Sequence, residues 1–185
     1  MNSLKKRLLL GALMAAIGVG TFCLLRVTPG TAPPTPAARQ EPLRPGVETP
    51  EHELKALAVE LEKKPGHVPV LMRMAQLERD KGKIDDAVSH LRDAVASEPA
   101  NLDARLELGR ALYDKGDVGG AIAETEKILA ADPKQVDALY NLGAIYANLG
   151  NAERARQYWK RAVGAGANAD SGKKAQQGLS KLGGA

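Results

Sequence analysis

LYNLGAIYANLGNAERARQYWKRA, residues 139–162, decides the fold. It carries Leu142-Gly143, Tyr146, a lone Gly150, Ala155 and Trp159, with no nucleophile beside a base and no cluster of metal ligands. The pattern recurs. A step of 34 residues back brings Gly150 onto Gly116 and then Gly82, and Ala155 onto Ala121 and then Ala87. Leu142 falls on Leu108 and Met74, and Gly143 on Gly109 and Ala75. Pro65, Pro99 and Pro133 keep the same step. A gapless period held by several kinds of residue means helix–turn–helix units that must stack to bury their faces.

Each recurring residue has a physical task. Ala75, Gly109 and Gly143 let the first helix of a unit approach the second closely, and Ala87, Ala121 and Ala155 do so from the other side. Gly82, Gly116 and Gly150 end the first helix, where the turn favours positive φ. Pro99 and Pro133 open the link to the next unit.

These positions resemble the tetratricopeptide repeat family, whose pattern runs aromatic, Leu-Gly, Tyr, Ala, aromatic, Pro. Residues 136–169 fit best, with Leu139, Leu142-Gly143, Tyr146, Gly150, Ala155, Trp159 and Ala162; Ala167 stands where Pro is expected. Residues 102–135 keep Leu108-Gly109, Leu112, Gly116, Ala121 and Pro133, and depart at Arg105, Thr125 and Ile128. Residues 68–101 keep Leu71, Met74-Ala75, Gly82, Ala87, Leu91, Ala94 and Pro99. They depart at Glu78, where Leu77 is expected to fill the space. The resemblance implies an all-α, right-handed superhelical solenoid of antiparallel helix pairs.

The flanks complete the layout. EHELKALAVELEKK carries Leu54, Leu57, Ala58 and Leu61 on one helical face, so 51–67 reads as the second half of an incomplete unit. Residues 170–185 carry a thin apolar stripe (Ala175, Leu179, Leu182) and a wet face, as a capping helix does. Units at 68–101, 102–135 and 136–169 stand between them, and seven helices are expected in all.

The N-terminus reads differently. Lys5, Lys6 and Arg7 precede an uncharged run from Leu8 to Leu25, closed by Arg26. As a helix the run spans about 27 Å, near the thickness of a bilayer's hydrocarbon core. Residues 1–27 are therefore expected to be an uncleaved transmembrane anchor with its N-terminus in the cytoplasm. A cleaved signal peptide is the alternative, though its apolar region is usually shorter and ends at a small-x-small site. Phe22 before Cys23 argues against a lipobox. Residues 28–50 hold seven of the eleven prolines and read as an extended linker. The expected location is a bacterial inner membrane, single-pass, with the soluble domain in the periplasm.

Charge excludes one class of partner. The net +4 lies in residues 1–50, and residues 51–185 are neutral, so the domain has no electrostatic footprint for nucleic acid. Within it, 151–185 carries net +5, a basic tip suited to an acidic segment or simply solvated. One cysteine precludes an internal disulfide or a multi-Cys zinc site. His52, His67 and His90 are scattered, and no catalytic constellation, P-loop or C-x-x-C-H appears. No enzyme, cofactor or metal is expected.

The resemblance implies a protein or peptide partner on outward-facing places of each unit's first helix. By register these are Met72, Gln76 and Arg79; then Leu106, Arg110, Tyr113 and Asp114; then Tyr140, Ala144, Ala147 and Asn148. Tyr113 and Tyr140 are semi-polar anchors, with packing between repeats as the alternative. Met72 and Gln76 stand where some members carry the Lys and Asn of a carboxylate clamp, so that clamp is not expected; Arg110 is left to pair with an acidic group. The expected function is a membrane-anchored scaffold in envelope protein assembly or maturation. The layout is similar to tetratricopeptide components of c-type cytochrome biogenesis. The alternative is an accessory subunit docked permanently on a membrane complex.

Overall fold

The computed structural model describes residues 49–183. The expected anchor, Cys23 and the linker up to residue 48 lie outside the described residues. Eight helices follow: α1 (Pro50–Lys63), α2 (Val68–Asp80), α3 (Ile84–Ser97), α4 (Leu102–Lys115), α5 (Val118–Ala131), α6 (Val136–Asn148), α7 (Ala152–Gly166) and α8 (Asp170–Gly183). The expected total of seven was a miscount, since a half-unit helix, three pairs and a capping helix already sum to the eight found. Even-numbered helices start at Val68, Leu102, Val136 and Asp170, and odd-numbered ones at Pro50, Ile84, Val118 and Ala152, each series in steps of 34. None of these helices is long and apolar enough to cross a membrane.

Two kinds of turn alternate, and the sequence writes both. Gly82, Gly116 and Gly150 have φ of 74°, 89° and 74°. At each, the following amide donates to a carbonyl five residues back: Lys83 to Glu78 (2.8 Å), Asp117 to Leu112 (2.9 Å) and Asn151 to Tyr146 (2.8 Å). This closure satisfies carbonyls that the helix end would leave bare. The other turn brings the amide of His67, Asn101 or Gln135 onto the carbonyl of Lys64, Glu98 or Asp132. Pro65, Pro99 and Pro133 sit second in these turns, where a fixed φ is favourable. Ala167 occupies the same place in the Gly166–Ala169 turn, which closes at 3.1 Å without Pro. Side-chain oxygens of Asn101, Asp117, Gln135 and Asn151 then cap α4 to α7.

Each helix packs on the next along the chain, and α2, α4, α6 and α8 also touch in succession. Among the described residues the odd-numbered helices do not touch one another. Even-numbered helices are thus the closer-spaced set, and they line the inside of the curve. The core between the layers falls into four buried clusters, bridged by half-buried Met72, Val95, Ile122 and Leu129.

One cross-helix pair is filled three ways. Tyr146 stacks on Tyr158, with centroids 5.6 Å apart and planes 4° from parallel. The corresponding places one unit back are Leu112 and Glu124, and two units back Glu78 and His90. Glu78 is not replaced by Leu77 as expected. Both are buried, and the Glu78 carboxylate meets His90 Nδ1 at 2.8 Å. A hydrogen-bonded acid has taken an aromatic's place, because α3 supplies a polar partner at that height.

Glu124 is held differently. Burial pushes its carboxyl up, but bonds from Lys127 (2.7 Å) and Arg105 (2.6 Å) outweigh this and hold it below the usual 4.5. A folded-state value below the unfolded one gives stability that is present above pH 4.5 and lost as pH falls through the lower folded value. Glu124→Gln is expected to cost about 1 kcal/mol at pH 7, with the gap to wild type closing in acid. Paired urea melts at pH 7 and pH 3.5 check this; a gap independent of pH contradicts it.

A concave groove as candidate binding site

Along the inner face, one polar chain ties all four even-numbered helices together. Arg79 of α2 donates to Asp114 (2.6 Å) and Glu107 (2.9 Å) of α4. Glu107 also takes Arg110 Nη1 at 2.6 Å. Arg110 Nη2 lies 3.8 Å from Asp137 of α6, and Asp137 accepts from Ser171 of α8 at 2.5 Å. A parallel bond runs from Asn148 Nδ2 to Tyr113 Oη at 2.7 Å. It joins the same two places as Arg79–Asp114, one unit further on.

Two adjoining cavities open on this face. The larger, about 670 Å³, lies between α2 and α4, over Met72, Ala75 and Leu91. Arg73, Gln76, Arg79, Asp80, Glu107 and Asp114 also line it. The smaller, about 150 Å³, lies between α4 and α6. Its walls include Gly109, Thr125 and Ile145, and its mouth Arg110, Tyr113, Asn141, Ala144 and Asn148. Thr125 stands where the next unit has Trp159, so a small side chain opposite Gly109 leaves room that an indole would fill.

The sequence-derived residues divide between these places. Met72, Gln76, Arg79 and Asp114 line the larger cavity; Arg79, Arg110, Tyr113, Asp114, Ala144 and Asn148 line the smaller. Leu106 does not face the groove: it is 6% exposed and packs with Ile128 and Ala138. Tyr140 lies against the Trp159 cluster, and its carbonyl accepts the indole N–H at 3.2 Å. Ala147 packs against that cluster too. The register was therefore one residue off at Leu106 and Tyr140. Met72 lines the larger cavity as expected, with Arg73 beside it, whereas Glu107 and Asn141 line the cavities in place of Leu106 and Tyr140. One residue turns a helix by 100°, enough to bring a side chain from groove to interior.

Arg110 is not a spare cation, since Glu107 and Asp137 already flank it. Among the described residues no three His, Cys, Asp or Glu side chains are placed to hold a metal ion.

Trp159 of α7 is clasped rather than presented. A Cβ on Gly143 of α6 would stand 2.5 Å from Trp159 Nε1, and one on Gly178 of α8 2.7 Å from its Cζ3. Two glycines on neighbouring helices thus form the slot for the ring, and Gly178 was not read from the sequence as part of it.

Comparison with known proteins agrees with the repeat. Tetratricopeptide repeat models match residues 72–135 and 125–157. No curated protein is detectably similar in sequence. Among solved structures, MamA superposes with a TM-score of 0.58 at 20% identity, over 72% of this chain and 86% of that one. A tetratricopeptide repeat protein from Parabacteroides merdae gives 0.63 at 19% identity, over 73% and 54%. The first repeat domain of Spaghetti (RPAP3), bound to the HSP90 peptide SRMEEVD, gives 0.56 at 19% identity, over 63% and 90%. Residues 72–157 are, by sequence and by fold, tetratricopeptide repeats.

Proposed function

We propose that this chain is a non-enzymatic, membrane-anchored scaffold that takes a segment of another protein along α2, α4 and α6. The observation that carries the reading is the pair of adjoining cavities on the inner face, about 670 and 150 Å³, with half-buried Met72 and Tyr113 among their walls. Concave surfaces of stacked repeats are extended binding surfaces. A structural neighbour holding an HSP90 peptide supports the mode, not the ligand. The basic flank Lys5-Lys6-Arg7 and the run Leu8–Leu25 support a single-pass anchor in a bacterial inner membrane with the domain in the periplasm. The Pro-rich segment then holds the groove off the bilayer. Envelope protein assembly or maturation is the role this layout serves, c-type cytochrome biogenesis being one instance.

Crosslinking the full-length protein in its native membrane tests the reading. Arg110→Ala combined with Tyr113→Ala is expected to abolish capture of the crosslinked partner. The domain should stay folded, with a loss of about 2 kcal/mol, because both side chains are partly exposed although Tyr113 also packs on the core. Undiminished capture removes the groove as the site. A partner retained stoichiometrically in mild detergent points instead to a permanently docked accessory subunit.

A further inference from the structure

We infer that the larger cavity selects a segment bearing a lysine or arginine, and rejects an acidic one. This rests on the groove reading above and names the chemistry of its partner.

The guanidiniums around the cavity are already engaged. Arg73 donates Nε and Nη2 to Glu53 (2.6 and 2.9 Å) and Nη1 to Gln76 (3.3 Å). The Glu53 bond raises the Arg73 pKa above its ordinary value, and the Arg73 bond lowers that of Glu53. Arg79 donates Nε and Nη2 to Asp114, and Nη1 to Glu107. Each guanidinium already has a carboxylate beside it, so an arriving carboxylate would sit among like charges.

The carboxylates are in the opposite condition. Asp80 lines the cavity, yet among the described residues no cationic side chain lies within 4.0 Å of it. Asp114 accepts only through Oδ2, which leaves Oδ1 open. A carboxylate has about four acceptor sites, so Asp80 and Asp114 hold acceptor positions that no cation takes among the described residues. Three carboxylates face two guanidiniums around the cavity. The rest of the lining suits the stem of the same guest. Pro69 and Met72, above buried Ala75 and Leu91, make an apolar wall on which methylenes can lie while a charged head reaches the carboxylates. Apolar wall and acidic rim together match a long cationic side chain, and neither suits an acidic peptide.

A phage-displayed library of random dodecapeptides, selected on the full-length chain in mild detergent, tests this. Selected peptides are expected to share a lysine or arginine at a fixed place. Asp80→Lys should weaken them roughly tenfold or more by setting like charge against like. Because Asp80 is exposed and acts on Arg73 only at a distance, that variant should stay folded and melt close to wild type. Peptides that carry no basic residue, or that bind Asp80→Lys within twofold of wild type, overturn the inference. If such peptides still lose binding to the Arg110→Ala/Tyr113→Ala variant, the groove stands and only its charge preference falls. Peptides indifferent to every groove substitution, or none selected at all, overturn both.

Discussion

Trp159→Ala is expected to cost about 3–5 kcal/mol and to lower the melting temperature by ~10 °C or more. The ring is 7% exposed and lies in the slot between Gly143 and Gly178. Removing it leaves a void that neither neighbour can fill, because both are glycines without side chains to relax inwards. It also leaves the Tyr140 carbonyl without the indole N–H it accepts at 3.2 Å. The damage should be local first. Trp159 joins α6, α7 and α8, and repeat arrays lose stability unit by unit when one interface weakens. Hydrogen exchange should show α8 opening ahead of α2 to α5. The protein has one tryptophan, so wild-type emission reports on this slot alone. A variant that melts within about 1 kcal/mol of wild type would show that the slot is not where the third unit gets its stability.

The second large effect separates two glycines that look alike in the repeat. Gly109 and Gly143 are equivalent positions. A Cβ on Gly109 would meet Thr125 Oγ1 at 3.2 Å, a crowding that a small adjustment relieves. Gly109→Ala is therefore expected to change stability by less than about 1 kcal/mol, since the helix favours alanine by a similar amount. Gly109→Leu adds a branch against buried Thr125 and the Ala121 carbonyl, and should cost about 3 kcal/mol or more. At Gly143 even one methyl stands 2.5 Å from an indole nitrogen that the slot holds from both sides. Gly143→Ala should cost about 2–3 kcal/mol, close to the typical upper limit for overpacking. Parallel denaturant melts of the three variants check the ranking; equal losses from the two alanine variants would refute the account of the slot.

These residues also show what the sequence made legible. The period was readable because turn chemistry is local: Gly82, Gly116 and Gly150 sit at positive φ, and Pro65, Pro99 and Pro133 at the second place of a turn, whatever packs around them. Both flanking helices were legible too, α1 and α8 falling where their apolar stripes placed them. The groove was readable to about one residue of register. Arg110, Tyr113, Asp114 and Asn148 line it, whereas Leu106 is interior, because an error of one position is a rotation of 100°. Tertiary partners were not legible. Nothing local says that Glu78 is buried against His90, that Gly178 receives Trp159, or that Arg79 is bound by two acids 28 and 35 residues away. The separation of 35 is one unit plus one residue, a signal visible only once the units are known to stack.

The helix starts have an arithmetic of their own. Among the described residues α1 precedes the three units α2–α3, α4–α5 and α6–α7, and α8 follows them. The described helices therefore open on a member of the outer series and close on a member of the inner one. Lengthening or shortening this array by a multiple of 34 residues keeps both of its ends in kind. A change of half that length would exchange the surface shown at one extremity, and with it whatever docks or stays soluble there.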